Sequence, residues 1–519
     1  MENTELQPAE GGILKEAIVG QPQSLNPIFS LLNDADRDIS ELTFAGLLNY
    51  DKNGNLVCDL CEKYKIDDKG KSFEFTLKKD LLWSDNRKIT TNDVVFTIET
   101  IQNPEMQTPL KLIWKDVKVE PINEREVRFT LENPYPLFLK NFTLKIIPSH
   151  IFKEATPQEF STLFPERFVS SGPFKIKKIE RNEKNEIKKI FLERNPNYHG
   201  KTPFLEGIEI SFVKNKKELL DIKEKETSLA GISPQEKKEL KEDFNFYSFA
   251  LPRCFVLFLN QQNELLSQKE IREALSLATP KKEIVEKVLL GEGRVVDGPL
   301  LEEHKIGGKI KKYEFNLEKA KKILENTGWK DTDNDNIRDK TINGKRFSLK
   351  FDLFLVKQAE LEKTAEIIKK NWGKIGIKLN IKAMKPQELF QEHIEKRNYD
   401  ILLFGQDISL IPDPYPFWAS SQKEYPGLNL SLYQNPDVDK ILENARIEND
   451  KNKRKQLLQE FQLKITEDIP AIFLYSPNYI YAVRKEIKGI EGKYINDVSK
   501  RFIGIENWYI NEKRVPKIR

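Results

Sequence analysis

Apolar and polar residues alternate in short stretches of the first half of the chain. In SFEFTLKK the apolar positions Phe73, Phe75 and Leu77 share one face, and the turn residues DDKGK precede them. EVRFTLEN repeats the period with Val127, Phe129 and Leu131. A period of two with a single apolar face predicts half-buried antiparallel strands. Between them, TTNDVVFTIETI changes period. Thr90 and Asp93 stand at capping-box spacing, and Val94, Val95, Ile98 and Ile101 line one helical stripe.

From about residue 253 helical patterns dominate. IREALSLATPKKEIVEKVLLG reads as two helices parted at Thr279 and Pro280, with Thr279 as the cap and Pro280 in the first turn. NLEKAKKILENTG opens on the cap residue Asn316 and closes on Gly328. LEKTAEIIKKNWGKIG passes into the alternating strand IKLNIKA, and a further amphipathic helix runs from Lys451 to Asp468, ended by Ile469 and Pro470. Helix and strand in repeated succession predict an α/β lobe with helices covering a sheet. No internal repeat and no low-complexity linker occurs. Two lobes joined by several short crossings are the expectation, and such lobes can close on a hinge.

Length supports two lobes, because 519 residues exceed the roughly 250–300 at which single cores stop growing. With 39% hydrophobic residues and 31 Phe there is material for both cores, so the polarity belongs to the surface. Lys and Arg number 85 against 81 Asp and Glu, interspersed and not in blocks, which argues against a nucleic-acid partner. No run of 18 apolar residues occurs, and the polar start MENTELQPAEGG lacks the pattern of a secretory signal. Either the protein is cytosolic or the sequence begins after a removed export segment.

Catalytic chemistry has little to draw on. His150, His199, His304 and His393 are widely spaced, without paired metal-ligand spacing, and read as surface or packing residues. Nucleophile-elbow, phosphate-loop and dinucleotide motifs are missing, so no enzymatic activity is expected. Cys58 and Cys61 form a C-x-x-C that reads as a redox pair or half a zinc site, with no second pair nearby to complete four ligands. Cys254, in the apolar run CFVLFLN, reads as a small core residue. Trp83 and Trp114 read as packing at strand edges. In DTDNDNIRD, the residues Asp331, Asp333, Asp335 and Asp339 take positions 1, 3, 5 and 9 of a calcium loop, but Asn336 replaces the turn glycine and Ile342 the bidentate Glu. The loop reads as a solvated acidic turn or as a structural calcium site. No other cofactor is expected.

One loop departs from the charged texture around it. FGQDISLIPDPYPFW, from Phe404 to Trp418, gathers four aromatics and three prolines around Asp407 and Asp413. It follows the buried strand YDILLFG, and strand ends on a rigid scaffold commonly hold ligands. Pro412, Pro414 and Pro416 lower the entropy of ordering the loop. Phe404, Gly405, Tyr415, Phe417 and Trp418 then wall a ligand pocket with an Asp as its charge anchor, or else they form an aromatic corner that plugs the lobe.

The chain resembles the family 5 extracellular solute-binding proteins, which include the dipeptide- and oligopeptide-binding proteins of ABC importers. The segments that carry the likeness are QPQSLNPIF; the long run from FAGLLNYDKNG to FTIETI; SGPFKI; FLERNPNYHG; FVLFLNQQN; IREALSLATPKKEIVEKVLLG; NLEKAKKILENTGW; DPYPFW; and IPAIFLYSPNYIYAVRKEIKG. The resemblance implies an α/β, two-lobed periplasmic-binding-protein-like fold of type II, with an extra subdomain in lobe I. Lobe I would comprise residues 13–253 and 482–519, with the subdomain at about 50–165. Lobe II would be 254–481, and residues 1–12 a polar tether. A solute would be buried between lobes that close on a hinge, an aspartate receiving the α-ammonium of a peptide. Asp407 and Asp413 both answer to that position, and Ile411 stands where a leading acid is usual. The resemblance further implies a monomeric, non-enzymatic, extracytoplasmic protein that delivers its solute to ABC transporter permease subunits. It would touch the membrane through a lipid-modified Cys or another anchor outside this sequence. A nickel chelate, a sugar or another solute in the same fold is the nearer alternative; a hydrolase or a cell-surface interaction protein stands further off.

Overall fold

The computed structural model describes residues 4–160 and 168–516. Two compact units divide the chain: one comprises Met1–Leu251 with Tyr479–Arg519, the other Pro252–Asn478. The chain therefore passes between them twice, at 251/252 and 478/479, where the resemblance implied 253/254 and 481/482.

In the first unit the strand Ile13–Val19 pairs in parallel with Gly207–Val213, which continues antiparallel through Ile187–Arg194 to Phe174–Arg181. On its other side Ile13–Val19 meets Ser228–Ile232, which pairs antiparallel with residues 480–483 of the strand Ala471–Arg484. Within the expected insertion lies a separate antiparallel sheet, Cys61–Ile66, Ser72–Leu77, Glu126–Thr130 and Lys118–Pro121. Phe73, Phe75, Val127 and Phe129 point to its buried face as their alternation requires, and Phe75 meets Phe129 edge to face at 5.9 Å. Trp114 joins them against Phe138 at 4.9 Å, and Trp83 is equally buried, so both tryptophans are core. The helix Thr91–Gln102 covers this sheet and starts with the expected Thr90–Asp93 capping box.

The second unit is built on the parallel strands Lys378–Met384, Lys350–Val356 and Ile401–Asp407, extended antiparallel by Arg253–Leu259 and residues 471–475. Helix Ala359–Gly373 makes the crossover, burying Leu361, Ala365, Ile368 and Trp372. Helix Leu317–Asn326 is capped by Asn316, and helix Lys451–Asp468 ends at Ile469 in a left-handed conformation.

Two expectations are corrected. Residues 4–9 are no tether: Thr4–Ala9 pairs antiparallel with Asn511–Pro516. This ribbon has little buried face, so no apolar alternation announces it. Thr279 does not cap the helix Lys281–Val288, whose N-cap is Pro280 without a side-chain bond. The Thr279 hydroxyl donates back to the Leu275 carbonyl at 2.7 Å and accepts from Trp372 Nε1 at 3.1 Å.

A fully buried charge cluster ties the ends of the first unit together. Arg501 donates to both oxygens of Asp38 at 2.7 Å and to Glu16 Oε1 at 2.9 Å. Tyr481 donates to Glu16 Oε2 at 2.6 Å, and Ser228 also donates to Glu16. Burial pushes the Asp38 carboxyl up from 3.8 to about 6, with Arg501 pulling it back only in part. Arg501→Met should cost about 3–5 kcal/mol in denaturant unfolding, because two buried carboxylates lose their shared cation. The pH dependence has a definite sign. Since its folded pKa of about 6 exceeds 3.8, the contribution of Asp38 to stability is complete below that lower value and is lost as pH rises through the upper one. The stability of Asp38→Asn relative to the parent chain should therefore rise across that interval and level off above it.

Candidate functional site

The apolar stretch Ile401, Leu402 and Leu403 buries the centre of its strand, so the strand leaves the core only at its end. Phe404 and Gly405 are half-buried, Gln406 is buried, and Asp407 emerges with its side chain 63% exposed. Arg253 begins the neighbouring strand and faces Asp407 in register. It donates through Nε and Nη2 to the two carboxylate oxygens at 2.7 and 3.0 Å. Sequence reasoning passed over Arg253; the signal was a single charge opening the apolar run RCFVLFL.

Asp413 is differently placed, being 6% exposed. Its Oδ1 accepts from Tyr415 N at 3.2 Å, where the short helix Tyr415–Trp418 begins, and its Oδ2 accepts from Arg446 Nε at 3.1 Å. The Arg446 guanidinium also lies over the Tyr415 ring, 4.5 Å from its centre, and Arg454 donates to the Pro412 carbonyl. Trp418 is fully buried between Phe258 and Phe473, which makes it core, while Tyr415 and Phe417 remain half-buried. His304 supports the loop from below: Nδ1 accepts from Leu301 N at 2.9 Å, and Nε2 lies 3.4 Å from the Ile408 carbonyl. Burial lowers its pKa to about 4, so it stays neutral near pH 7.

The other candidates disperse. Asp331, Asp333 and Asp335 bring carboxylate oxygens within 4.8 Å of one another, all exposed. Asp339 is buried and turned to Arg346, Ser348 and Thr332, and Arg346 also holds Asp333 at 2.6 Å. An arginine thus stands between two of the four presumed calcium ligands. Cys58 and Cys61 are joined in a disulfide, and burial pushes the Cys254 thiol up to about 12, leaving it inert near neutrality. Among the described residues no helix is long and apolar enough to cross a membrane.

The two aspartates should separate in stability measurements. Asp413→Ala removes a helix-start bond and half of a largely buried ion pair and should cost about 2 kcal/mol or more in chemical unfolding. Asp407→Ala should cost less than about 1 kcal/mol, since its pair with Arg253 is solvated.

Comparison with known proteins agrees over nearly the whole chain. Residues 55–429 match the family described as Bacterial extracellular solute-binding proteins, family 5 Middle. The oligopeptide-binding protein AppA of Bacillus subtilis is 28% identical over 504 residues, covering 93% of this chain and 89% of AppA. The probable D,D-dipeptide-binding periplasmic protein DdpA of Escherichia coli is 26% identical over 501 residues, covering 93% and 92%. The structure of Bacillus subtilis AppA in complex with a nonapeptide superposes with a TM-score of 0.73 at 26% identity, covering 97% of this chain and all of that one. The α/β architecture, the two units and this match together place the chain in family 5 of the bacterial extracellular solute-binding proteins.

Proposed function

We propose that this protein is the extracytoplasmic solute-binding component of an ABC importer and that its solute is an oligopeptide. The observation that carries this reading is the likeness to a named oligopeptide-binding protein over 93% of the chain. By the same reading the protein is no enzyme and hands its solute to permease subunits. Asp407 is the carboxylate that receives the ammonium of the peptide. Its oxygens project from the strand end, and each keeps a lone pair after accepting from Arg253. Asp413 is already committed to Arg446 and to the start of a helix, so it holds the loop in shape. Phe404 and Phe417 offer half-buried apolar surface on the same segment.

Calorimetric titration with peptides of graded length tests the reading. Saturable binding is expected, and Asp407→Ala should weaken it by about tenfold to a hundredfold, the worth of a hydrogen bond to a charged group. Heat from a metal chelate or a sugar with none from any peptide would sink it. Unchanged peptide affinity in Asp407→Ala would overturn the anchor alone.

A further inference from the structure

A cavity of about 440 Å³ lies wholly within the first unit, on a part of the chain that does not include Asp407. Segments distant in sequence form its walls: Glu41 on the helix Asp34–Thr43, Asn49 to Lys52, Val57 to Asp59, Lys78, Lys145, and Tyr198 to Gly200, with Glu491 and Glu506 toward the C-terminus. Its volume falls in the range of small-molecule sites.

Two carboxylates in its wall, Glu41 and Asp59, are already satisfied. Glu41 Oε2 receives Lys145 at 2.9 Å and Lys500 at 2.6 Å, and Oε1 accepts from Asn49 Nδ2 at 3.3 Å. Asp59 Oδ1 faces His199 Nε2 at 2.7 Å, and Oδ2 accepts from Gly46 N at 3.3 Å. Burial alone would raise the Asp59 carboxyl, but the hydrogen bond from His199 and the nearby Lys145 and Lys78 together hold it below the usual range, so both lysines act at this wall.

The cations are not satisfied to the same degree. Lys145 is 10% exposed, and among the described residues its ammonium makes a single polar contact, to Glu41. Two of its three N–H donors are left over. The lining carries both signs: Lys52, Lys78 and Lys145 stand with Glu41, Asp51, Asp59, Glu491 and Glu506, and Lys52 is paired with Glu491 at 2.5 Å. The leftover donors of Lys145, with Lys78 in the same concave and partly desolvated wall, attract a carboxylate or phosphate oxygen. Glu506 is also in the lining, half-buried and of opposite sign, and it disfavours a purely anionic guest.

We propose that this cavity is a second ligand site, which takes a small zwitterion of amino-acid size, its carboxylate on Lys145 and Lys78 and its ammonium on Glu506. The proposal does not depend on the nature of the main solute.

Isothermal titration of the full chain with free L-amino acids, acetate and inorganic phosphate at constant ionic strength tests it. Amino acids should bind saturably and more tightly than acetate or phosphate. Lys145→Met should lower that affinity by about tenfold or more, the worth of a charge-assisted hydrogen bond. Lys78→Gln, at a half-exposed position that spares the fold, should weaken it in the same direction, and Asp407→Ala should leave it unchanged. No saturable amino-acid binding, equal or tighter binding of acetate or phosphate, affinity untouched by Lys78→Gln, or binding lost in Asp407→Ala would each overturn the proposal.

Discussion

The first unit depends on one buried cation. Its chain is discontinuous, running to residue 251 and resuming at 479, so something must fix the returning segment against the first. Arg501 does so by reaching Glu16 on the strand Ile13–Val19 and Asp38 on the helix Asp34–Thr43. None of these groups is solvated, and a buried charge without its partner is costly enough to exclude alternative placements. Tyr481 adds the strand that leads out of the second unit's part of the chain. A nonpolar contact would tolerate sliding; this arrangement does not.

In the second unit, partner choice sorts two similar side chains. Asp407 and Asp413 stand six residues apart, yet one is exposed at a strand end against Arg253 and the other is buried against a half-exposed Arg446. Pro412 stiffens the backbone between them, and His304, Arg446 and Arg454 hold the loop from the protein side. A carboxylate that organises its own loop has little left for a solute. The one at the rim keeps capacity, and this assigns the binding role to Asp407 in the proposal above.

Much of the fold was legible because its causes are local. The strands Ser72–Leu77 and Glu126–Thr130 follow from alternation, and the caps at Thr90 and Asn316 from residue type and spacing. The helix Lys451–Asp468 starts and stops where its pattern does. Thr4–Ala9 was illegible for the converse reason, since its partner lies at the other end of the chain and no buried face marks it. Thr279 misled because a hydroxyl can bond backward to the helix it leaves as well as forward to the one it precedes.

The candidate site was legible as a place and illegible in its detail. Composition singled out residues 404–418, and the ordered segments of the resemblance pointed to the family that the comparisons then showed. What the sequence alone determined is what period, capping chemistry and composition can encode: the elements, the α/β class, the division into two units, and the loop with its two acids. Tertiary structure alone decided which cation each acid meets. Arg253 stands 154 residues from Asp407, Arg446 stands 33 from Asp413, and His199 stands 140 from Asp59. Electrostatic role depends on distance and desolvation, and neither exists until the chain has folded.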